Sequence, residues 1–341
     1  MMTHYNEGIV ISLILFLVTP AAAYTVGNEG ISWAGNSTMD NVTEDSGDSL
    51  VKVGVFADNF NDGNYNGWIV YSKPTTNASD GIWSASNGYL KVSGGTTPRW
   101  HSIKYNTPLQ QNISLMYDFN IIGTQEYAAQ FWDIDSGKLW FNFLDINDPA
   151  DTNYHLRYEI GSETQVIENL GITPDVSNNI AYGYKTQIFG GQYKFYLDNV
   201  LKNISSGNTR NTPNKIGVGT YLLNANDEVR WDNIRALAVD SNGNEIISGN
   251  LTAWYDSGTG NEIYRLNVNA TTPANTNYTV LYRQNGTGNF AQVGTVYTGN
   301  NTIALNPGYR NTDVRVVLNG NQIATPELIS ITFYAQPVAT P

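Results

Sequence analysis

The chain has 341 residues, of which 41% are hydrophobic and only 14% are charged. Its formal net charge is −12, and an acidic surface repels phosphate backbones, so the charge argues against nucleic-acid binding. It contains no cysteine, which excludes thiol catalysis, Cys-ligated zinc and iron–sulfur clusters. Low charge together with 22 Tyr, 8 Trp and 32 Gly is typical of an all-β extracellular protein rather than a cytosolic enzyme.

The N-terminus resembles a secretory signal peptide. An apolar run from Ile9 to Val18 is followed by the small residues Ala21, Ala22 and Ala23, so we predict a signal peptide over residues 1–23. No Lys or Arg precedes the apolar run, and the alternative is a short uncleaved anchor. That run is too short to cross a bilayer comfortably, and no second apolar segment follows, so we expect no membrane span after processing.

The rest of the chain divides by composition into two β-rich regions. Residues 24–50 are polar and are predicted to form a flexible leader. Alternating apolar residues begin at Val51 and predict a first domain over 51–239, and residues 240–245 form a turn-rich linker. A second domain is predicted over 246–341, with strands at Glu262–Val268, Tyr278–Arg283, Asp313–Leu318 and Leu328–Tyr334. No convincing helical periodicity follows the N-terminal run, so the fold class is all-β with antiparallel sandwiches.

Four short motifs in the first domain carry a resemblance to a known fold. They are Phe56-Ala-Asp58-Asn-Phe60-Asn-Asp62-Gly with Gly67-Trp68, Ile82-Trp83-Ser-Ala-Ser-Asn87-Gly88-Tyr-Leu90-Lys-Val92, Tyr196-Leu-Asp198-Asn, and Val229-Arg-Trp-Asp232-Asn233-Ile. In this order, residues 54–238 resemble the concanavalin A-like or laminin-G-like jelly roll. That family includes carbohydrate-binding modules, family 16 glucanases and laminin-G modules. The resemblance implies a jelly-roll β-sandwich that binds an extracellular glycan or surface polysaccharide.

Alternating strands predict where a sugar would be held. Aromatic rings stack on sugars and nearby polar groups fix the hydroxyls, which singles out Trp100, Trp132, Trp140, His155, Arg157 and Glu159. For each Trp the alternative is ordinary core packing, whereas Trp68, Trp83 and Trp231 are assigned to core or strand-closing positions. For the three polar residues the alternative is a solvated face with a cross-strand ion pair.

The same resemblance implies structural calcium. Relatives of this fold often tie the first and last strands together through Ca²⁺, and Asp58 and Asp232 occupy those two strands. The alternative is that Asp232 caps a turn through backbone N–H groups. A second, weaker match runs from Asp62 to Gly67 and resembles half of an EF-hand loop, but Lys73 stands where that loop needs an acid.

The patterns argue against catalysis. The Glu-x-Asp-x-x-Glu strand of the related glucanases is missing, and the nearest stretch, Trp132–Gly137, is typical of a hairpin turn. No Gly-x-Ser-x-Gly elbow exists, and beyond His4 the chain has only His101 and His155. We therefore expect a non-catalytic protein. A divergent glycoside hydrolase is the alternative, and two carboxylates facing one cleft about 5–10 Å apart would favour it.

The second domain resembles small β-sandwich modules, Ig-like or jelly-roll, of archaeal and bacterial surface proteins. Its supporting stretches are Thr271–Thr276, Thr312–Leu318 and Thr325–Ile331. Glycosylation sequons lie at Asn36, Asn41, Asn77, Asn112, Asn203, Asn250, Asn269, Asn277, Asn285 and Asn300. Together these features predict a secreted cell-surface or extracellular-matrix protein. A structural subunit that self-assembles into a surface layer or filament is the alternative.

Overall fold

The computed structural model describes residues 22–27, 33, 37–40, 42–44, 50–71, 82–93, 99–106, 112–123, 127–134, 138–145, 154–160, 163–169, 179–204, 213–222, 226–284, 286–321 and 324–338. Within these ranges all regular secondary structure is β-strand, and every strand pair is antiparallel. No helix in the described ranges is long and apolar enough to cross a membrane. The predicted all-β class is confirmed.

The first sandwich is a jelly roll made of two sheets. Its strands are β5 (Phe56–Asp58), β6 (Trp68–Tyr71), β7 (Ile82–Ser86), β8 (Tyr89–Ser93), β9 (Arg99–Asn106), β10 (Ile113–Ile122), β11 (Tyr127–Ile134), β12 (Lys138–Asp145), β13 (Tyr154–Ile160), β14 (Glu163–Asn169), β15 (Ala181–Phe189), β16 (Gln192–Leu197), β17 (Val200–Ile204), β18 (Pro213–Leu222) and β19 (Glu228–Ala238). One sheet, called the β10 sheet, has the order β17-β16-β15-β10-β19-β8-β7, with β5 also paired to β19. The other, the β11 sheet, has the order β14-β13-β12-β11-β18-β9-β6.

The second sandwich draws its strands from both sides of the first in the sequence. Before it come β1 (Ala22–Gly27), β2 (Ser37–Asp40), β3 (Val42–Glu44) and β4 (Val51–Val53). After it come β20 (Ser248–Asp256), β21 (Asn261–Thr271), β22 (Asn277–Gln284), β23 (Ala291–Tyr297), β24 (Asn301–Tyr309), β25 (Asn311–Asn319) and β26 (Glu327–Pro337). The sheets are β24-β21-β26-β4-β3, with β1 also paired to β26, and β2-β20-β25-β22-β23.

The jelly roll is therefore inserted into the second sandwich, and this corrects the predicted leader. Within residues 24–50, β1 pairs with β26, β2 pairs with β20 and β3 pairs with β4, so the prediction of a flexible leader is wrong for these strands. The segment also contributes Trp33 and Val42 to the second hydrophobic core. All four strands predicted in the second domain are confirmed as β21, β22, β25 and β26.

Each sandwich has its own hydrophobic core. The first core contains Trp68, Trp83 and Trp231, which confirms their assignment to the interior. The second core contains Trp33, which is fully buried, and also Leu237 from the last strand of the jelly roll. Leu237 thus joins the two sandwiches by packing.

The chain crosses between the two sandwiches twice, from β4 to β5 and from β19 to β20, and these two chain crossings lie side by side. At the first, Val55 donates its backbone N–H to Ala236 O at 2.9 Å, and at the second, Ile246 donates to Ala238 O at 2.9 Å. Gly54 has a φ of +142°, and a Cβ there would lie 2.8 Å from Ala236 O, so the close approach of the two crossings requires glycine. Two adjacent covalent connections fix the sandwiches more firmly than one linker would.

Candidate functional site

A bulge in β19 places three polar residues on the outer face of the β10 sheet. Opposite β10, Met116 pairs with Arg235 and Asp118 pairs with Asp232, so one residue of β10 faces two of β19. Asn233 takes a φ of +51° at this bulge. Since the bulge shifts the alternation by one, Arg230, Asp232 and Arg235 all share the outer face, while the intervening Ile234 is buried in the core.

Arg230 and Asp232 line an open groove of about 340 Å³ on that outer face. Its lining includes Tyr89 from β8, Asp118 and Asn120 from β10, Gly183 from β15, and Arg230 and Asp232 from β19. Gly183 has no side chain, and a Cβ there would lie 3.6 Å from Asp118 Oδ1. The middle of the groove is therefore shallow backbone flanked by carboxylates.

Asp118 and Asp232 are the two acids of the groove and face each other directly across β10 and β19. Opposed residues in an antiparallel pair have Cβ atoms roughly 4.5–5.5 Å apart, so their charges repel. Burial, supported by the nearby Asp118 and Asp58 carboxylates, raises the pKa of Asp232 to about 6. Burial also raises the pKa of Asp118, with Asp198 adding to the effect, although a hydrogen bond from Asn233 Nδ2 to Asp118 Oδ2 at 2.8 Å opposes it.

An aromatic ring with a fixed orientation lies at one end of the open groove. The guanidinium of Arg230 lies 4.7 Å from the centroid of the Tyr89 ring. Arg230 is in turn held by the carboxylate of Glu228, which also contacts Lys91 Nζ at 3.3 Å. A partly exposed tyrosine held by a cation–π contact offers a flat apolar surface beside hydrogen-bonding carboxylates.

At its other end the groove continues into a cleft between the two sandwiches. We call it the closed cleft because it is less open to solvent than the groove. It has a volume of about 250 Å³ and shares Asp118 and Gly183 with the open groove. The jelly roll contributes Met116, Lys185, Asn233 and Arg235, and the second sandwich contributes Lys52, Pro273, Thr325 and Glu327. The groove and the cleft therefore adjoin at Asp118 and Gly183.

The sugar-binding residues predicted from the sequence lie elsewhere, on the β11 sheet. The side chains of Trp100, Trp132, Trp140, His155, Arg157 and Glu159 fall outside the described residues, and only the backbone register places them. In that register Trp132 pairs with Trp140 on one side and with Ile216, which is buried, on the other, so the three residues form one cross-strand row. Arg157 pairs with Phe141, and His155 and Glu159 pair with Phe143 and Leu139. The two tryptophans and the three polar residues therefore occupy alternate rows rather than one row.

The predicted calcium ligands lie close together, but one of them is already engaged. Asp58 is buried, and its Oδ1 accepts the N–H of Phe60 at 3.0 Å while its Oδ2 accepts Trp68 Nε1 at 2.7 Å. Asp232 Oδ1 accepts the backbone N–H of Asn233 at 2.6 Å, as the capping alternative requires. Among the described side chains, no group of three or more His, Cys, Asp or Glu could hold a metal ion. These donors do not fit a calcium ion held between Asp58 and Asp232.

Six of the ten sequon asparagines lie in described residues, and none of those six is buried: Asn112, Asn203, Asn250, Asn269, Asn277 and Asn300. Asn36, Asn41, Asn77 and Asn285 lie outside the described residues. Glycosylation at these positions stays a prediction.

The groove residues were missed because their partners come from distant parts of the sequence. Alternation in β8 and β19 does indicate that Tyr89 and Arg230 lie on the face of the sheet opposite to that of Leu90 and Trp231. However, nothing in the sequence indicates that β10 lies beside β19, nor that a bulge turns Arg235 to the outer face.

No protein-family model matches the chain, and no curated protein sequence matches it. Among solved structures it is similar to the carbohydrate binding module CBM66 from Bacillus subtilis, with 16% identity and a TM-score of 0.39 over 51% of this chain and 96% of that one. It is similar to a Bacillus licheniformis beta-glucanase, with 17% identity and a TM-score of 0.37 over 54% and 97%. It is also similar to the exoplasmic/lumenal domain of VIP36 in its Ca²⁺/Man3GlcNAc-bound form, with 13% identity and a TM-score of 0.39 over 51% and 84%. At these identities and scores the likenesses assign no ligand or activity to this chain.

Proposed function

We propose that the protein is a secreted, non-catalytic surface protein that binds a glycan in the open groove. The observation that carries this proposal is the placement of the Tyr89 ring beside the carboxylates of Asp118 and Asp232 in one groove. Sugars present apolar C–H faces and polar edges, so they are bound by an aromatic surface with adjacent acceptors. Ionised carboxylates accept hydrogen bonds from two neighbouring hydroxyls, and Asn120 adds an amide.

A glycan array on the full chain, followed by calorimetric titration of the best ligand, tests this proposal. We expect Tyr89→Ala to weaken binding about fivefold or more, because stacking on one aromatic ring is worth roughly 1 kcal/mol or more. The matched control is Tyr264→Ala on the second sandwich, where Arg265 likewise lies over a tyrosine ring, at 5.4 Å. Equal binding by both variants would contradict a site at the groove.

Substitution of Trp140 or Arg157 examines the site expected from the sequence. Loss of binding in Trp140→Ala or Arg157→Ala, with Tyr89→Ala unaffected, would move the glycan site to the β11 sheet. We expect the opposite pattern, in which only the groove variant loses affinity.

A glycoside hydrolase is the second candidate, favoured by the opposed pair Asp118 and Asp232. One acid with a raised pKa beside a second carboxylate is the arrangement that retaining and inverting enzymes share. Asp232→Asn separates the two functions, because the amide keeps the shape of the groove but cannot donate a proton. Release of reducing ends that Asp232→Asn abolishes would establish hydrolysis. Binding that survives this substitution, with no product formed by the unmodified chain, would support the non-catalytic proposal.

Calcium is tested by chelation. Because both oxygens of Asp58 accept hydrogen bonds from the protein, we expect EDTA to leave the melting temperature of the full chain unchanged. A fall in melting temperature that added Ca²⁺ reverses would instead establish a structural ion.

A further inference from the structure

The closed cleft contains a buried cation whose hydrogen-bonding capacity is almost unused. Arg235 is only 7% exposed and lines the cleft. Its one hydrogen bond to a described residue runs from Nη2 to the thioether sulfur of Met116 at 3.3 Å. A thioether is a weak acceptor, and a guanidinium has five N–H donors, so most of its donors have no protein acceptor among the described residues.

The two neighbouring lysines are already ion-paired with carboxylates. Lys185 Nζ lies 2.9 Å from Glu245 Oε1, and Lys52 Nζ lies 3.3 Å from Glu327 Oε1. Oδ2 of Asp118 accepts the amide of Asn233. No described carboxylate lies within ion-pair distance of Arg235. Burial lowers the pKa of Arg235, and the negative charges of the buried Glu245 and of Asp118 offset only part of that effect. A buried guanidinium with unused donors would be stabilised further by an anion that enters the cleft and accepts hydrogen bonds from it.

We infer that the closed cleft binds a small carboxylate of about the size of one sugar ring, with Arg235 as its anchor. A guanidinium presents a planar fork that matches both oxygens of a carboxylate. The volume of 250 Å³ holds about eight water molecules at roughly 30 Å³ each, which is room for a single pyranose acid. Asn233 on the cleft wall carries an amide oxygen that can accept a hydrogen bond from a hydroxyl.

The cleft is also preorganised for binding. Its two walls belong to sandwiches joined by two chain crossings, and Gln187 Nε2 further donates to Gly243 O at 3.2 Å across the junction. Met116 packs against the core of the second sandwich while its sulfur contacts Arg235. A ligand therefore meets a cation whose position is already fixed, which lowers the entropic cost of binding.

Calorimetric titration of the full chain with D-glucuronate and D-glucose tests the inference, since the two sugars differ only in having a carboxylate or a hydroxymethyl group. We expect saturable binding of glucuronate, at least about tenfold tighter than glucose. Arg235→Met and Arg235→Lys should each lose about tenfold or more, because lysine keeps the charge but not the fork. The control is Arg310→Met, at an exposed arginine paired with Asp256 far from the cleft.

A second measurement needs no variant. The chain has four methionines, and in ¹³C-methyl spectra the Met116 methyl should shift on adding glucuronate while that of Met39, on β2, should not. Equal affinity for both sugars, an unshifted Met116 methyl, or full binding by a folded Arg235→Met protein would overturn the inference. Tyr89→Ala should bind glucuronate normally, so this result is separate from the fate of the groove proposal.

Discussion

Asp58 illustrates how one buried carboxylate can organise the entry to the jelly roll. Its carboxylate accepts hydrogen bonds from the N–H of Phe60 and from the indole of Trp68. Phe60 has a φ of +54°, and its ring packs against that of Trp68 with the centroids 5.8 Å apart. A non-glycine residue with positive φ is held in place only when its surroundings favour that conformation. The carboxylate supplies that stabilisation.

We therefore expect Asp58→Ala to destabilise the protein by roughly 3 kcal/mol, because it leaves two buried donors without an acceptor. Asp62→Ala is the matched control. Asp62 accepts the N–H of Asn64 in a similar turn, but Asp62 and Asn64 are less buried, so its loss should cost about 0.5–1 kcal/mol. Urea unfolding of both variants measures the difference, and equal losses would contradict the assigned role.

Asp232 should make stability depend on pH in an unusual direction. Its folded pKa of about 6 lies above the usual value for Asp of roughly 3.9, so the folded state favours the protonated form. The cost of ionising it appears as pH rises from about 4 to 6 and is fully present above that window. Asp232→Asn should therefore raise the free energy of unfolding at pH 7.5 by about 1 kcal/mol after solvent screening, and change it little at pH 4.

Urea titrations at both pH values measure this effect, with Asp256→Asn as a control of opposite sign. Hydrogen bonds from Arg310 lower the pKa of Asp256, so its loss should destabilise the protein at neutral pH and have less effect in acid. Asp118, Asp58 and Lys52 surround Asp232, and their titration is common to the parent and the variant. An Asp232→Asn protein no more stable than the parent at pH 7.5 would contradict a cost of ionising the buried Asp232.

At the scale of single elements, β17 is an exposed apolar edge of the jelly roll. It ends the β10 sheet, and Val200, Leu201 and Ile204 are 57%, 46% and 41% exposed. Edge strands with apolar side chains can pair with further strands, and this is where the self-assembly alternative would act. The sequon at Asn203 lies in the same strand, so a glycan there would block pairing.

Leu201→Lys therefore tests assembly through this edge. If the edge pairs between copies, the charge should weaken self-association roughly tenfold, or about 1.4 kcal/mol, without changing the melting temperature. Ile180→Lys is the control, since Ile180 is 50% exposed but precedes the interior strand β15. Sedimentation velocity over a concentration series gives the association constants. An equal effect of both lysines would mean that net charge, not edge pairing, controls association.

Local elements were predictable from the sequence to the extent that local chemistry specifies them. Asn87 and Gly88 take φ values of +58° and +75°, which is the hairpin turn that an Asn-Gly pair favours. The alternation of apolar residues in β16 matches the burial of Tyr193, Phe195 and Leu197. Strand neighbours were not predictable, because pairing such as β10 with β19 joins residues more than 100 positions apart. The candidate site depends on that pairing, so it became visible only in the folded structure.

At the scale of the whole molecule, the inserted topology makes the N-terminal strands part of the second core. Trp33 and Val51 are fully buried there, and β1 and β4 cover one edge of β26. We therefore expect residues 246–341 alone to lack a cooperative thermal transition. The two crossings lie side by side, so residues 22–53 joined to 246–341 by a short Gly-Ser linker should restore one.

Circular dichroism melts of the two fragments measure this difference. Trp33→Ala in the joined fragment is the internal control, since removal of a fully buried tryptophan should cost roughly 3–5 kcal/mol. A cooperative transition in residues 246–341 alone would show that the N-terminal strands are dispensable.

The split of the second sandwich also sets the order of events during synthesis. When β1 to β4 emerge from the ribosome, β20 and β26 are still untranslated, and about 190 residues (54–247) separate the two halves. At roughly 5–20 residues per second, the early strands wait about 10–40 s for their partners. During that interval the jelly roll can fold completely. The second sandwich, which contains the first strands to be synthesised, is therefore the last domain to finish folding. A chaperone or export factor that shields exposed strands would therefore bind β1 to β4 during this interval, before their partner strands are made.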